Sequence, residues 1–175
     1  MISPATRAAI RGSSKRAAKT GAPHFQARLA TPFGIVGVRT EGDALAEIVY
    51  LPASAGTLAP TNALAERACA QIKKYVADPG YRFKLPLKHV GTAFQRRVWE
   101  QISAIPSGET RTYGDLARAL RSAPRAVGQA CGTNYFPLAI PCHRVVAANG
   151  LGGFGHASGG YLLDVKRWLL AHEGY

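Results

Sequence analysis

The sequence predicts a mixed fold of the α/β (α+β) class, with short strands in the first half of the chain and mostly helices in the second. The first observation is the alternation of apolar and polar residues between positions 25 and 51, which is the period of a strand. The second is the recurrence of apolar residues every three to four positions in several later segments, which is the period of a helix. The length of 175 residues suffices for one compact domain or two small ones.

Three short strands are predicted between positions 24 and 51. Turn-forming residues at 31–34 and 41–43 separate them, and strands joined by such tight turns form an antiparallel meander. A further strand is predicted at 83–87, because apolar and basic residues alternate there.

Five segments have the helical period. Thr61 or Asn62 is expected to cap the first helix and Thr92 the second. The last helix carries apolar residues between Leu163 and Leu169.

The third and fourth helices are joined by a tight connection. Thr112 and Asp115 have the spacing of a capping box, and Pro124 lies in the first turn of the next helix. This pattern is typical of a helix-turn-helix unit, whose second helix would lead with Arg125. Two short core helices would give the same pattern, and the charge of the chain favours the DNA-binding interpretation.

The charge indicates an anionic partner. The formal net charge is +12 and the pI about 10.1, which points to nucleic acid first and an anionic membrane surface second. Residues 1–22 contain basic but no acidic residues and predict a disordered tail. This tail either attracts phosphates or only keeps the chain in solution.

The cysteines and the start of the chain predict a reducing compartment. Three cysteines are an odd number, and the first residues lack the apolar segment of a secretory signal. No apolar run is long enough to span a bilayer. We therefore expect a cytoplasmic, nucleoid-associated protein without membrane contact.

Neither a metal nor a nucleotide is predicted to bind. The histidines and cysteines do not have the spacing of zinc ligands. A glycine-rich loop at 149–160 allows close backbone approach to a ligand but does not match a phosphate-binding spacing.

The strongest candidate for a reactive group is Cys142, within the segment IPCHRVV at 140–146. Pro141 stiffens the turn before the sulfur, and an imidazole such as that of His143 can favour the reactive thiolate. The valine pair that follows favours a short strand. The alternative is a buried structural cysteine beside a surface histidine.

Five segments of the second half occur in the order in which one known family has them: GTAFQRRVW at 91–99, IPSGET with YGDLA at 105–117, RAVG at 125–128, IPCHRVV at 140–146 and KRWLLAHEG at 166–174. In these segments the chain resembles the O6-alkylguanine-DNA alkyltransferases, the methylated-DNA–protein-cysteine methyltransferases. The resemblance implies a ribonuclease-H-like N-terminal domain at 23–90 and a winged-helix/helix-turn-helix-like catalytic domain at 91–175, with the tail at 1–22 ahead of them.

The resemblance also implies an activity. The family repairs DNA by direct damage reversal, in an irreversible and stoichiometric transfer of a methyl or other alkyl group from O6 of guanine to a cysteine, here Cys142. Alkylated O4 of thymine is left open as a second substrate. The alkylated base is itself the donor, so no cofactor is expected. A thioether does not hydrolyse, and each molecule should therefore act once.

Four further residues of the reaction centre are implied by the same resemblance. His143 would act as base towards Cys142 through a water, and Glu173 would hold its tautomer. Asn134 would brace the turn by hydrogen bonds. Tyr113 would donate a hydrogen bond to the departing guanine.

The implied partner is double-stranded DNA, bound by a monomer through the minor groove with the damaged base flipped out. Arg125 would take the place that the base leaves. Ala126 and Gly128 are small enough for a close approach of their helix, and Thr112 and Arg144 are further DNA contacts.

The implied base pocket is lined by Val145, Val146 and the glycine-rich loop. Within that loop Ser158 would contact the guanine oxygen, and Lys166 would lie near the active site on the last helix. The segment at 153–164 is longer than the family's usual one, which bears on the size of alkyl group accepted.

Two other classes of protein remain as alternatives. A DNA-binding regulator with a structural Cys142 would bind specific sequences and show no self-alkylation. A cysteine hydrolase using Cys142 and His143 would turn over through a labile thioester. Alkyltransferase-like proteins, which bind the lesion without repairing it, lack the cysteine that this chain has.

Overall fold

The first half forms a three-stranded antiparallel sheet with one helix against it. In a computed structural model, which describes residues 24–175, the strands are β1 (Ala27–Thr31), β2 (Gly34–Glu41) and β3 (Ala44–Leu51), paired in that order. The predicted meander is therefore confirmed. Helix α1 (Ala63–Ala77) packs against the sheet.

Helix α1 begins where the sequence predicts. The side chain of Asn62 accepts a hydrogen bond from the amide of Ala65 at 2.8 Å, which satisfies one amide that the helix cannot. Ile72 is completely buried on the inner face of α1, and burying such a side chain stabilises the fold by about 1.5–3 kcal/mol. Tyr75, one turn later on the same face, is 1% exposed.

The strand predicted at 83–87 is wrong. Only Leu87 forms a bridge, which is parallel and joins Leu45 at the start of β3. The amide of Leu45 donates to the carbonyl of Pro86 at 2.7 Å, and the amide of Lys88 donates to Leu45 at 2.9 Å. Pro86 has no amide hydrogen, so it cannot continue a ladder of strand hydrogen bonds.

The second half contains four helices and two very short strands. In chain order they are α2 (Ala93–Ser103), β4 (Arg111–Thr112), α3 (Tyr113–Ala119), α4 (Pro124–Gly132), β5 (Val145–Val146) and α5 (Tyr161–His172). The expected caps at Thr92 and Thr112 are both complete capping boxes. The fold is thus of the mixed α+β class predicted, and no helix between residues 24 and 175 has both the length and the hydropathy needed to cross a membrane.

Strands β4 and β5 pair in parallel, although 32 residues lie between them. Arg111 is opposite Val145 and Thr112 opposite Val146. The turn that contains Cys142 immediately precedes β5, and Tyr113 immediately follows β4. The pairing therefore fixes the distance between two segments that the sequence singles out.

Helix α5 connects the two halves. The ring of Trp168 on α5 lies 4.9 Å from that of Phe33, and the hydroxyl of Tyr161 donates to the carbonyl of Tyr50 on β3 at 3.1 Å. One continuous apolar core runs through both halves. The predicted boundary at residue 90 stays a prediction, and the predicted tail at 1–22 lies outside the described residues.

Candidate active site

The cysteine turn is held in one conformation by its own backbone. Pro141 has φ −78° and ψ 66°, the values of an inverse γ-turn, and the amide of Cys142 donates to the carbonyl of Ile140 at 2.8 Å. Residues Cys142–Arg144 then form one 3-10 turn, closed by the amide of Arg144 on the carbonyl of Pro141 at 3.0 Å. Cys142 is 6% exposed, so the turn presents its thiol from within the protein.

Asn134 fastens the same turn from the end of α4. Its Nδ2 donates to the carbonyl of Ile140 at 2.8 Å, and its Oδ1 accepts from the amide of Phe136 at 3.0 Å. Asn134 is buried, and both ends of its amide are used. The carbonyl of Ile140 therefore has two donors, the amide of Cys142 and the side chain of Asn134.

The carboxylate of Glu173 is the centre of a buried hydrogen-bond network. Its Oε1 receives His143 Nε2 at 2.8 Å, Arg144 Nη2 at 2.9 Å and the hydroxyl of Tyr75 at 2.8 Å. Its Oε2 receives Arg144 Nε at 2.9 Å and the amide of Gly108 at 3.5 Å. Burial alone would raise the pKa of Glu173, but the hydrogen bonds from His143 and Arg144 outweigh it and hold this pKa well below its usual range.

The network defines the tautomer of His143. An ionised Glu173 accepts only, so Nε2 of His143 carries the hydrogen and Nδ1 keeps its lone pair. Nδ1 is buried and has no hydrogen-bond partner among residues 24–175. Burial lowers the pKa of His143, although Glu173 opposes that shift, so the imidazole is neutral at pH 7 and Nδ1 can take up a proton.

Arg144 was predicted to contact DNA, and the structure corrects this. Its guanidinium makes a two-point contact with Glu173, and its Nη1 donates to the carbonyl of Ile105 at 2.6 Å. The side chain is only 12% exposed. Arg144 is therefore the counter-ion of the buried carboxylate, since its donors are already engaged inside the protein.

Tyr113 lies across the cavity in front of Cys142. Its hydroxyl donates to the carbonyl of Gly153 at 3.1 Å. Burial raises the pKa of Tyr113, and the nearby thiols of Cys131 and Cys142 raise it further, so the phenol keeps its proton and acts as a donor.

Lys166 is completely buried and joins the glycine-rich loop to the cysteine turn. Its Nζ donates to the carbonyls of Val145 at 2.7 Å, Leu151 at 2.7 Å and Gly153 at 2.9 Å. Burial lowers the pKa of Lys166 to about 8, while Cys142 and Cys131 oppose the shift. A cation is thereby held within electrostatic reach of Cys142.

The cavity beside Cys142 is small, at about 60 Å³. Ligand sites for drug-sized molecules are typically ~300–1,000 Å³, so a purine cannot enter this one without movement of its walls. Eight residues line it: Tyr113, Cys131, Gly132, Cys142, Gly153, Phe154, Gly155 and His156.

His156 forms the outer wall of that cavity. Its ring lies against the Cα of Gly132, so close that a Cβ on residue 132 would collide with it. Gly152, with φ +71°, is similarly required, because a Cβ there would come within 3.0 Å of the Tyr113 ring. Closure of the cavity thus depends on glycine at two positions.

Three predicted pocket residues lie elsewhere. Val145 and Val146 are buried in the pairing of β5 with β4 and are not among the lining residues, and Ser158 is exposed outside the cavity. The glycine-rich loop does line the cavity, through Gly153 and Gly155, and Lys166 lies beside it as predicted.

Three of the predicted DNA contacts lie on helix α4, and Thr112 lies at the start of α3. Arg125 is exposed in the first turn of α4, and Ala126 and Gly128, one and three positions later, are partly buried. The backbone and side chain of Thr112 are both bonded to Asp115, so Thr112 has a structural role as the cap of α3.

Several residues of the site were not predicted from the sequence, among them Cys131 and Gly132 of the cavity wall. Tyr75 comes from the other half of the chain, and its only sequence signal is a place on the buried face of α1. Phe154 and His156 line the cavity from the glycine-rich loop, where they are the only aromatic rings between the glycines at 152 and 160.

Known proteins share both the sequence and the fold. The family described as the DNA-binding domain of 6-O-methylguanine DNA methyltransferase matches residues 93–175. A probable methylated-DNA–protein-cysteine methyltransferase of Acanthamoeba polyphaga mimivirus is 47% identical over 103 residues, which are 58% of this chain and 66% of the relative. The methylated-DNA–protein-cysteine methyltransferase of Methanosarcina acetivorans is 44% identical over 109 residues, 61% of this chain and 67% of the relative.

These two alignments span about two thirds of the relatives' length. A structural likeness extends further. The crystal structure of Mycobacterium tuberculosis OGT in complex with DNA is 33% identical, with a TM-score of 0.68, and the match covers 84% of this chain and 91% of that one. The chain therefore belongs to the family of the methylated-DNA–protein-cysteine methyltransferases.

Proposed function

We propose that this protein takes a methyl or other alkyl group from O6 of guanine in duplex DNA onto Cys142, once per molecule. The observation that carries this assignment is the buried chain of contacts from His143 to Glu173 and Arg144, directly beside the cavity thiol. In the reaction a bond forms between Sγ and the alkyl carbon while the bond from that carbon to O6 breaks. The electron pair of the broken bond leaves with guanine.

His143 prepares the nucleophile. The proton of the Cys142 thiol passes to Nδ1 of His143 through a bridging water, and Nε2 stays bonded to Glu173. The positive charge that develops on the imidazole is balanced by Glu173, while Lys166 favours the thiolate. Asn134 keeps the turn rigid during these steps.

Tyr113 assists the leaving group. As guanine departs, negative charge develops on the purine ring, and a phenol that keeps its proton at neutral pH can donate a hydrogen bond to it. To do so, the hydroxyl must exchange its present acceptor, the carbonyl of Gly153, for the base.

The base enters after the cavity opens. We infer that His156 and Phe154 withdraw with their loop when the damaged nucleotide arrives. Helix α4 approaches the minor groove, and the target base is flipped out while Arg125 fills the gap in the stack. A net charge of +12 supports the attraction to DNA, and in this scheme the protein works on the nucleoid in the cytoplasm. The protein acts as a monomer in this scheme, and alkylated thymine remains a second candidate substrate.

The test is the intact mass of the protein after incubation with excess duplex DNA containing O6-methylguanine. We expect a gain of one methyl group per molecule and no further gain with time, and peptide mapping should locate it on Cys142. A thioester, or continued release of product, would support the hydrolase alternative. No gain with intact DNA binding would support a regulator.

Arg125→Ala is expected to slow transfer from duplex DNA by roughly ten- to a hundredfold, since flipping a base costs a few kcal/mol that Arg125 offsets. Transfer from free O6-benzylguanine should change less than twofold, because that substrate needs no flipping. Single-turnover rates on both substrates measure the difference. Arg82→Ala, an exposed arginine in the first half, is the matched control. Equal slowing on both substrates by Arg125→Ala would contradict a role in flipping.

A further inference from the structure

The first half of the chain contributes a hydrogen bond to the centre of the catalytic network. The hydroxyl of Tyr75, in α1, lies 2.8 Å from Oε1 of Glu173, the oxygen that His143 Nε2 also contacts. Both side chains are about 1% exposed, so water does not compete for this contact. Residues from both halves of the chain therefore determine how much negative charge the carboxylate oxygen that faces His143 carries.

Tyr75 is held rigidly in this position. Its ring lies 5.8 Å from the ring of Phe83 and meets that of His172 edge-on at 5.4 Å. Its backbone carbonyl is 2.9 Å from Nε2 of His172, which ties α1 to the end of α5. With its ring packed on both sides, the phenol can donate only towards Glu173.

We propose that Tyr75 is a positioning residue of the alkyl-transfer reaction, which tunes the basicity of His143 through Glu173. This inference rests on the proposed function of Cys142 and His143. A hydrogen bond to Oε1 withdraws charge from the carboxylate, so Glu173 stabilises the protonated imidazole less than a carboxylate without that bond would. His143 consequently stays neutral, and able to accept the thiol proton, to lower pH.

The burial of Tyr75 and the negative charge of Glu173 both keep the Tyr75 phenol protonated, as a hydrogen-bond donor must be. Burial raises the pKa of Tyr75, and the anion of Glu173 raises it further, so the phenol is a donor throughout the working pH range. The other titratable or charged groups around the pair of His143 and Glu173 are Arg144 and Cys142 on the same turn, Lys166 on α5 and Tyr50 on β3. A Tyr75→Phe substitution leaves all of these in place.

Tyr75→Phe is expected to raise the pKa of His143. Without the phenol, Oε1 carries more charge, the imidazolium form of His143 is favoured, and the pKa of His143 rises. Since transfer requires neutral His143, the acidic limb of the rate against pH should move upward by about 0.5–1 pH unit. At pH values well above that limb the rate should approach that of the wild type.

The experiment combines kinetics with a direct titration. Single-turnover methyl transfer from duplex O6-methylguanine DNA is followed across pH for the wild type, Tyr75→Phe and the control Tyr81→Phe. Tyr81 belongs to the same aromatic cluster, through its contact with Phe83, but has no bond to Glu173 among the described residues. The His143 imidazole is titrated by NMR in each protein with labelled histidine, and circular dichroism verifies folding at each pH.

An upward shift of both the kinetic limb and the His143 titration in Tyr75→Phe alone supports the proposal. A uniform loss of rate or of stability with both profiles unmoved would overturn it and leave Tyr75 as a packing residue. If the wild type accepts no methyl group at any pH, the proposed function fails. The NMR titration then still decides whether Tyr75 tunes His143.

Discussion

Cys142→Ser is expected to accept no methyl group from O6-methylguanine DNA, even with long incubation. A serine hydroxyl is a far weaker nucleophile than a thiolate at neutral pH, and no neighbouring group can ionise it as readily. The substitution replaces sulfur by oxygen in a buried turn whose bonds are made by the backbone and by Asn134. The fold and the affinity for lesion-containing duplex should therefore be retained, which intact mass and fluorescence anisotropy would measure on the same sample.

Cys131→Ser is the matched control, because Cys131 lines the same cavity. Burial raises the pKa of the Cys131 thiol to about 12, so it stays protonated and unreactive. Cys131→Ser should gain one methyl group as the wild type does. A methyl group found on Cys131 in the Cys142→Ser protein would mean that the cavity, rather than one thiol, determines the acceptor.

Glu173→Gln is expected to damage both stability and activity. A glutamine offers one acceptor oxygen in place of two, and it leaves the guanidinium of Arg144 buried without a counter-ion. Removing one partner of a buried ion pair costs about 3–5 kcal/mol, which urea unfolding at pH 7 would measure. The transfer rate should fall by roughly a hundredfold or more, as for other imidazoles that lose their carboxylate partner.

The destabilisation caused by Glu173→Gln should become smaller at acidic pH. The pKa of Glu173 is depressed in the folded protein, so its contribution is complete above its unfolded pKa of about 4.3 and is lost as the pH falls towards the folded value. The difference between wild type and Glu173→Gln should therefore be constant from pH 7 to about 5 and shrink at more acidic pH.

Glu109→Gln tests whether the loss of any carboxylate would destabilise the protein as the loss of Glu173 is expected to do. Glu109 forms an ion pair with Arg111 in which both side chains are about half exposed, and such pairs contribute about 0–1 kcal/mol. Comparable destabilisation by the two substitutions, or a wild-type advantage that grows as the pH falls below 4, would contradict the assignment of Glu173 as the buried anchor.

Elements with local signals could be predicted from the sequence. Thr112 and Asp115 form the capping box that their spacing indicates, and the strands between positions 24 and 51 follow the alternation of apolar residues. The wrong prediction of a strand at 83–87 also has a local cause. The alternation of apolar and basic residues was given more weight than Pro86, which removes a donor from the ladder of strand hydrogen bonds. The segment does touch β3, but through one bridge only.

The interior of the site could be predicted only in part. The resemblance of motifs indicated Cys142, His143 and Glu173, yet the position of Arg144 next to His143 gave no sign that it would turn towards Glu173, 29 residues later. Tyr75 is 98 residues from its partner. Hydrogen bonds between residues far apart in the sequence produce no periodic pattern, so they can be recognised only in the folded structure.

The cavity wall was the least predictable part. Val145 and Val146 are buried in the pairing of β5 with β4 and do not line the cavity, and a parallel pair only two residues long leaves no recognisable pattern in the sequence. The contact of His156 with Gly132 depends on the path of a glycine-rich loop, whose many allowed conformations a sequence does not narrow to one.

Lys166 hydrogen-bonds that loop through main-chain carbonyls, at Leu151 and Gly153, and its Nζ lies 5.8 Å from the centre of the buried Phe154 ring. The hydrogen bonds do not depend on the identity of the loop's side chains, and the exposed tip of the loop beyond Phe154 takes no part in this anchor. Residues 156–159 can therefore be exchanged for a segment of equal length, which would alter which alkyl groups fit while Phe154, the anchor and the chemistry of Cys142 persist. Substrate range and catalytic competence can in this sense evolve separately, and a library confined to those four positions would vary the substrate range while the reaction centre is kept.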